Sequence, residues 1–142
     1  MKEYNAAFFG LYENLFKTLR SEYGEEKALD LFRKVMETGL KSAYGTVFQK
    51  GIPAEFIRLV GERDNNVGLK VTFPKVTQNK IIYQFHTDPF PNLKNHVDHS
   101  KLDDTFISFK VKYILGKDWN YQTTQHIWNG DSVTEFTISK SF

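Results

Sequence analysis

The chain has 142 residues, which predicts a single domain over residues 1–142 with a hydrophobic core of its own. It contains no cysteine, which excludes disulfides, thiolate nucleophiles and cysteine-ligated zinc. Its formal net charge is +2 and its basic residues are not clustered, so we expect no nucleic-acid partner. No apolar run reaches membrane-spanning length and the first residues lack a signal-like apolar segment, so we expect no membrane span and a cytoplasmic location.

The first half of the chain predicts helices. Residues 4–19 and 25–43 each place apolar side chains at helical spacing on one face. The short link between them predicts an antiparallel pair. Pro53 suits the first position of a third, short helix, and the polar stretch 62–66 predicts a surface loop after it.

Two stretches in the middle of the chain predict strands. Residues 67–73 alternate apolar and polar side chains, and residues 80–85 form a second apolar run. The short link between the two runs predicts a β-hairpin. Pro74 predicts the end of the first strand, and residues 86–103 predict irregular chain.

Residues 106–115 fit either a strand or a helix. The β-branched residues favour a strand, with the alternate residues from Ile107 to Leu115 on its apolar face. A helix would also group the apolar residues, with Asp103 or Asp104 as its N-terminal cap and Gly116 at its C-terminal end. The residues alone leave both structures open.

The end of the chain predicts a second hairpin. Residues 121–128 and 133–138 alternate in polarity, and Asn129-Gly130 between them favours a tight turn. Asp131-Ser132 leaves the register open. The predicted fold class is therefore α+β: an antiparallel sheet of two hairpins, with an N-terminal helix pair and further helices packed on it.

Four histidines are the main candidates for chemistry. His96 and His99 are three residues apart and could share a metal on a helical turn, although they are more simply solvated loop residues and lack a recognised third ligand. His86 beside Asp88 could act as a general base, although a turn before Pro89 also explains the pair. His126 is predicted in mid-strand, on the same face as Trp128.

Aromatic residues are numerous, with 13 Phe and 7 Tyr. Such residues form a solid core or line an apolar ligand pocket with a few polar points, and the two arrangements use the same residue types. The candidate pocket residues among them are Tyr83, Phe85, Phe109, Tyr113, Trp128 and Phe136.

The order of these features resembles a superfamily of small ligand-binding domains. The resemblance combines a helix pair whose second helix opens with Gly-Glu-Glu-Lys-Ala at 24–28, an apolar segment ending in Leu115-Gly116, and a closing Gly-Asp-x-x-Thr-Glu-Phe at 130–136. The last two features look like the 4-vinyl reductase-type domain, and more like the L-2-amino-thiazoline-4-carboxylic acid hydrolase-like family. The resemblance implies a helix for 106–115, a mixed sheet with helices, and a pocket between them.

The chain departs from that family at its cysteines. Thr134 stands where the family has its closing cysteine, which adds Thr134 to the candidate pocket, and Asp88-Pro89 stands where the family has a Cys-Pro pair. Chemistry that uses those thiols is therefore excluded. The Tyr-x-Ser-x-Arg motif of haem-binding relatives is also absent, so we expect no cofactor.

These observations favour a non-catalytic domain that binds a small apolar or amphipathic ligand. One alternative is a hydrolase of the L-2-amino-thiazoline-4-carboxylate type that uses His86, Asp88 or His126 instead of cysteine. Another is an interaction protein without a ligand that forms a homodimer through the N-terminal helices near Phe8 and Phe9, as some relatives of the resembled fold do.

Overall fold

A computed structural model describes residues 2–141. Helices and strands alternate in groups along the chain. The helices are α1 (Ala6–Tyr23), α2 (Glu25–Tyr44), α3 (Pro53–Asn66) and α4 (His99–Ile114), and the strands are β1 (Val71–Val76), β2 (Lys80–Phe85), β3 (Trp119–Gln125) and β4 (Thr134–Lys140). Short 3-10 helices at Pro91–Leu93 and Ile127–Asn129 lie in the connections. None of the described helices is both long enough and apolar enough to cross a bilayer.

The sheet is antiparallel with strand order β1-β2-β4-β3, so the predicted α+β class is confirmed. Each predicted hairpin is present, and the two hairpins join where β2 pairs with β4, with Tyr83 opposite Phe136. Side chains along β2 and β4 alternate between buried and partly exposed, which is the pattern of a sheet covered on one face. The buried face contributes Tyr83, Phe85 and Phe136 to the interior.

Helix α4 connects the helical layer to the sheet. It packs against α2 and α3 on one side and β3 on the other. The segment 106–115 is therefore helical, as the resemblance implied. The helix begins earlier than predicted, because the Asp98 carboxylate accepts the Ser100 backbone N–H and caps it, while Asp103 lies inside the helix. Gly116, with φ of +111°, follows its end.

Other boundaries also differ from the predictions. Helix α3 continues to Asn66, so the predicted surface loop at 62–66 is helical. Strand β1 begins at Val71 and continues past Pro74, which an edge strand with a bulge tolerates. The Asn129-Gly130 pair does not make a two-residue turn, because the connection between β3 and β4 runs from His126 to Val133.

Local hydrogen bonds explain that longer connection. The His126 backbone N–H is bound by the Asp131 carboxylate at 2.9 Å, and the His126 Nδ1 atom accepts the Trp128 backbone N–H at 3.0 Å. These bonds close a 3-10 turn at the point where the strand was expected to continue. His126 and Trp128 are therefore turn residues, not mid-strand residues.

Candidate functional site

The inner face of α4 carries an acid, an aromatic ring and a base in sequence. Asp103, Phe106 and Lys110 lie at helical spacing on this face, and all three are buried. Lys110 follows Asp103 by seven positions, which is about 10 Å along the helix axis. Buried aspartate and lysine are rare in proteins unless they are paired, so each marks a separate polar cluster in the interior.

The lysine cluster consists of Lys110, Asp64 and Tyr83. The Lys110 Nζ atom donates to both carboxylate oxygens of Asp64 at 3.1 Å and to the Tyr83 hydroxyl at 3.0 Å. The Tyr83 hydroxyl in turn donates to Asp64. Three donated hydrogen bonds use every proton of an ammonium group, so a charged Lys110 has each of its donors satisfied.

Burial perturbs the ionisation of this cluster. Desolvation lowers the pKa of Lys110, and the neighbouring Asp64 carboxylate opposes that shift. Desolvation and the same carboxylate raise the pKa of Tyr83 well above its ordinary value. The Lys110 ammonium also lies 5.4–5.7 Å from the ring centres of Tyr83, Phe85 and Phe106, a range in which cation–π attraction offsets part of its burial.

The histidine cluster consists of His126, Asp103 and His99. The His126 Nδ1 atom accepts the Trp128 N–H, so its proton lies on Nε2, which donates to the Asp103 carboxylate at 3.0 Å. Both ring nitrogens of His126 are thereby engaged. Desolvation raises the pKa of Asp103, and the hydrogen bond from His126 opposes the rise.

His99 stacks on His126, with ring centres 3.9 Å apart and planes 21° apart. Potential metal-ligating atoms of His99, Asp103 and His126 lie within 4.8 Å of one another. However, a zinc ion lies about 2 Å from each imidazole nitrogen along its in-plane lone pair, and lone pairs in two nearly parallel stacked planes do not converge. The Trp128 amide also keeps the proton on His126 Nε2. The geometry therefore favours a hydrogen bond between His126 and Asp103 over metal ligation.

One atom of this cluster has no partner. The amide of Asn129 lies 3.4 Å from His99 Nε2, which places the His99 proton on Nδ1. That Nδ1 atom is buried and makes no hydrogen bond among the described residues. The histidine cluster is thus less completely satisfied than the lysine cluster.

Asp88 and Trp128 extend the histidine cluster. The Trp128 indole N–H donates to the Asp88 carboxylate at 2.6 Å, and the Phe90 backbone N–H donates to the same carboxylate at 2.9 Å. Desolvation raises the pKa of Asp88 despite these hydrogen bonds.

Two small cavities lie between the clusters. The first borders the histidine cluster and Asp88, and the second borders the lysine cluster and Arg63. The two cavities share four lining residues, which are Phe85, Pro89, Phe90 and Phe106. They offer about 10 and 20 Å³ to the centre of a water molecule, which is room for about one water each.

A surface groove leads to the second cavity. By the same measure the groove offers about 340 Å³. It shares five lining residues with the second cavity, which are Phe8, Tyr12, Met36, Leu40 and Arg63. The groove, the second cavity and the first cavity therefore follow one another from the surface to the histidine cluster, each separated from the next by shared side chains.

The structure divides the predicted pocket residues into three groups. Phe85, Trp128, Thr134 and Phe136 line the first cavity. Tyr83 belongs to the lysine cluster. Phe109 and Tyr113 are part of another contact, where they stack on each other and Tyr113 packs on Phe48.

The predicted catalytic residues do not all converge. Asp88 and His126 both line the first cavity, but His86 is exposed and its Nε2 atom bonds the Thr72 hydroxyl at 2.8 Å. His96 is also exposed. His99 lies against His126 and not against His96, so the cluster joins residues that are far apart in sequence.

Asp64, Asp103, Lys110 and Arg63 did not appear among the predicted site residues. Asp64 was expected in a solvated loop, yet it is fully buried because α3 continues through it. The sequence pattern around Asp103 and Lys110 could have indicated that both residues are buried. In a helix they fall on the same face as Phe106 and Ile107, and a charge on an apolar face indicates a buried polar contact.

No model of a known protein family matches the chain, and no curated protein matches it. The resemblance to the amino-thiazoline carboxylate hydrolase-like family therefore stays a prediction.

Proposed function

We propose that the protein binds a small apolar or amphipathic molecule, which enters by the surface groove and places its apolar part in the second cavity. The observation that carries this proposal is the continuity of the lining. Five residues are common to the groove and the second cavity, and four are common to the two cavities. An apolar path with polar groups at a few defined points is the usual composition of a ligand site.

The size of the cavities defines what binding requires. Each holds about one water in this conformation, so a larger apolar group needs side chains at the junctions to change rotamer. Met36 is suited to this because its unbranched side chain adapts to irregular spaces. It lies at the junction of the groove and the second cavity.

The arrangement supports binding better than hydrolysis. A general base needs a free lone pair directed at the substrate. In His126, Nδ1 accepts a backbone N–H and Nε2 donates to Asp103. His86 lies outside the cavity. The homodimer through the N-terminal helices also stays a prediction. Of the two residues suggested for it, Phe9 is buried within the chain and Phe8 is partly exposed.

A blocked entrance tests the proposal. The neutral fluorophore N-phenyl-1-naphthylamine is titrated into the wild-type protein and into Met36→Trp, in which an indole fills the junction. The matched control is Val35→Trp, because Val35 is the neighbouring residue on α2 and is 39% exposed. We expect saturable binding to the wild type and to Val35→Trp, and at least a tenfold weaker affinity in Met36→Trp.

Circular dichroism confirms that both variants fold. Equal affinity of the two variants, or no saturable binding to the wild type, would contradict the proposal. Native mass spectrometry of protein purified from cells adds an independent readout, since a co-purified ligand gives a mass difference that disappears on denaturation.

A further inference from the structure

We infer that the ligand is a monocarboxylate with a short apolar tail, and that Arg63 binds its carboxylate where the groove meets the second cavity. This inference rests on the proposed function and names the ligand class for the same site.

Arg63 is a mostly buried cation whose hydrogen-bonding capacity is unused by the described residues. Its side chain is 19% exposed. Its contacts are a 3.8 Å ion pair from Nη1 to Asp64 Oδ1 and the ring of Phe8, whose centre lies 5.3 Å from the guanidinium carbon. At 3.8 Å the ion pair is longer than a hydrogen bond. A guanidinium has five N–H donors, so these donors are available to an acceptor in the groove.

The Asp64 carboxylate does not serve as the main partner of Arg63. Both of its oxygens accept from Lys110 at 3.1 Å, and one also accepts from Tyr83. These shorter contacts assign the aspartate to the lysine cluster. Arg63 is left beside a carboxylate that already has a closer cation.

The charges that line the groove and the second cavity are unequal. The residues that line the groove and the second cavity include two cations, Arg63 and Lys110, and a single anion, Asp64. The formal sum is one excess positive charge, since two positive charges and one negative charge are present. A ligand with one negative charge would neutralise it, and an ionic contact to a side chain as buried as Arg63 is stronger than one in bulk water.

The shape of the guanidinium selects the head group. Its planar fork matches a carboxylate, which accepts two parallel N–H bonds. Ser42 and Asn66 also line the groove, where the Ser42 hydroxyl and the Asn66 amide N–H groups can donate to ligand oxygens. Phe8, Met36 and Leu40 also line the groove and the second cavity, and they suit an alkyl or aryl tail. The two small cavities limit that tail to a short one.

Three probes with the same tail and different heads test this inference. Octanoate, octanol and octylamine each compete with N-phenyl-1-naphthylamine for the wild-type protein, Arg63→Gln and Arg58→Gln. Arg58 is the control because it lies on the same helix but is 53% exposed and paired with Glu55. We expect octanoate to bind the wild type and Arg58→Gln at least tenfold more tightly than octanol does, with octylamine weakest.

The preference for octanoate should disappear in Arg63→Gln and decrease in the wild type as salt increases. Arg63→Lys keeps the charge without the fork, and we expect it to retain only part of the preference. Equal binding of octanoate and octanol to the wild type would overturn the inference, and this comparison needs no variant to fold. A preference that survives in folded Arg63→Gln would also overturn it.

The two proposals fail in different ways. If the fluorophore binds and Met36→Trp blocks it, but no probe prefers the anionic head, the proposed binding function stands and the carboxylate inference is wrong. If the fluorophore itself does not bind the wild type, the proposed function is wrong.

Discussion

The lysine cluster and the histidine cluster differ in how completely their buried polar atoms are hydrogen-bonded. Each cluster places a charged residue of α4 in the interior. On the buried face of the helix, Asp103 precedes Phe106 and Lys110 follows it. In the lysine cluster every polar atom of Asp64, Tyr83 and Lys110 that can bond does so within the cluster. In the histidine cluster the His99 Nδ1 atom has no partner among the described residues.

The difference indicates separate roles. A buried network in which every polar atom is hydrogen-bonded rigidifies its surroundings. A network with an unbonded polar atom can still accept a further hydrogen-bond partner. The lysine cluster joins α3, α4 and β2 through side chains that are at most 3% exposed. The histidine cluster borders a cavity that holds about one water. We therefore assign a structural role to the lysine cluster and a more adaptable arrangement of side chains to the histidine cluster.

The largest effect should come from removing the charge of Lys110. Lys110→Met leaves the buried Asp64 carboxylate with the Tyr83 hydroxyl and the 3.8 Å contact to Arg63 as its remaining partners. Removing one member of a buried ion pair typically costs about 3–5 kcal/mol of unfolding free energy. Urea denaturation at neutral pH measures the loss. A loss below about 1 kcal/mol would mean that water reaches Asp64, and the contrast between the clusters would fail.

An apolar replacement of the whole lysine cluster is the control for that variant. The triple change Asp64→Leu, Tyr83→Phe and Lys110→Met removes all three polar partners together. We expect it to recover most of the lost stability, because a buried ion pair contributes little relative to well-packed apolar residues of similar volume. If the triple variant is as unstable as Lys110→Met, the loss arises from packing and not from the unpaired carboxylate.

Removing the hydroxyl of a buried tyrosine should change the unfolding free energy by an intermediate amount, and two tyrosines allow a comparison. Tyr83→Phe removes a hydroxyl that bonds both Asp64 and Lys110, and we expect a loss of about 1–3 kcal/mol. Tyr44→Phe removes a buried hydroxyl that has no partner among residues 2–141, so we expect unchanged stability or a gain of about 1 kcal/mol. The same chemical change is measured in both variants by urea denaturation. Equal losses would show that hydrogen bonding does not distinguish the two sites.

The smallest effect concerns pH and the Asp88 carboxyl beside the histidine cluster. Burial raises the pKa of Asp88 above its ordinary value, so between those two pKa values the folded protein binds more protons than the unfolded chain. Stability should therefore fall as the pH rises through that interval. Asp88→Asn keeps an oxygen for the Trp128 indole N–H but cannot ionise.

The difference between the wild-type and Asp88→Asn stability curves isolates this contribution. We expect the free energy of unfolding of the wild type to decrease relative to the variant as the pH rises above about 4, the ordinary value for an aspartate. Urea midpoints measured across that range provide the test. Parallel curves would mean that the Asp88 carboxyl has the same pKa in the folded and unfolded chains.

Much of the architecture could be predicted from local patterns. The helix pair, the two hairpins and the α+β class follow from the spacing of apolar residues, because each period leaves one face that must be buried. Boundaries were less accurate where side chains bond the backbone locally. Asp98 starts α4 and His126 ends β3 through such bonds, and neither residue is distinctive in the sequence.

The candidate site was only partly accessible from the sequence. The first cavity is lined by four of the candidate pocket residues and two of the candidate catalytic residues, which are Phe85, Trp128, Thr134, Phe136, Asp88 and His126. Arg63 and Asp64 were assigned to a polar surface loop. Nothing in the local sequence pattern shows that Arg63 faces a groove and that Asp64 is fully buried.

The sequence by itself determined the elements and their apolar faces, because those depend on residues close together in the chain. Only the tertiary structure decided which charges are buried together. Asp64 and Lys110 come from different helices, and His99 and His126 lie on opposite sides of β3 in the chain order. Whether such groups are paired, stacked or left without a partner depends on how α3, α4 and the sheet pack, since burial makes each unpaired polar atom costly and so makes its partner important.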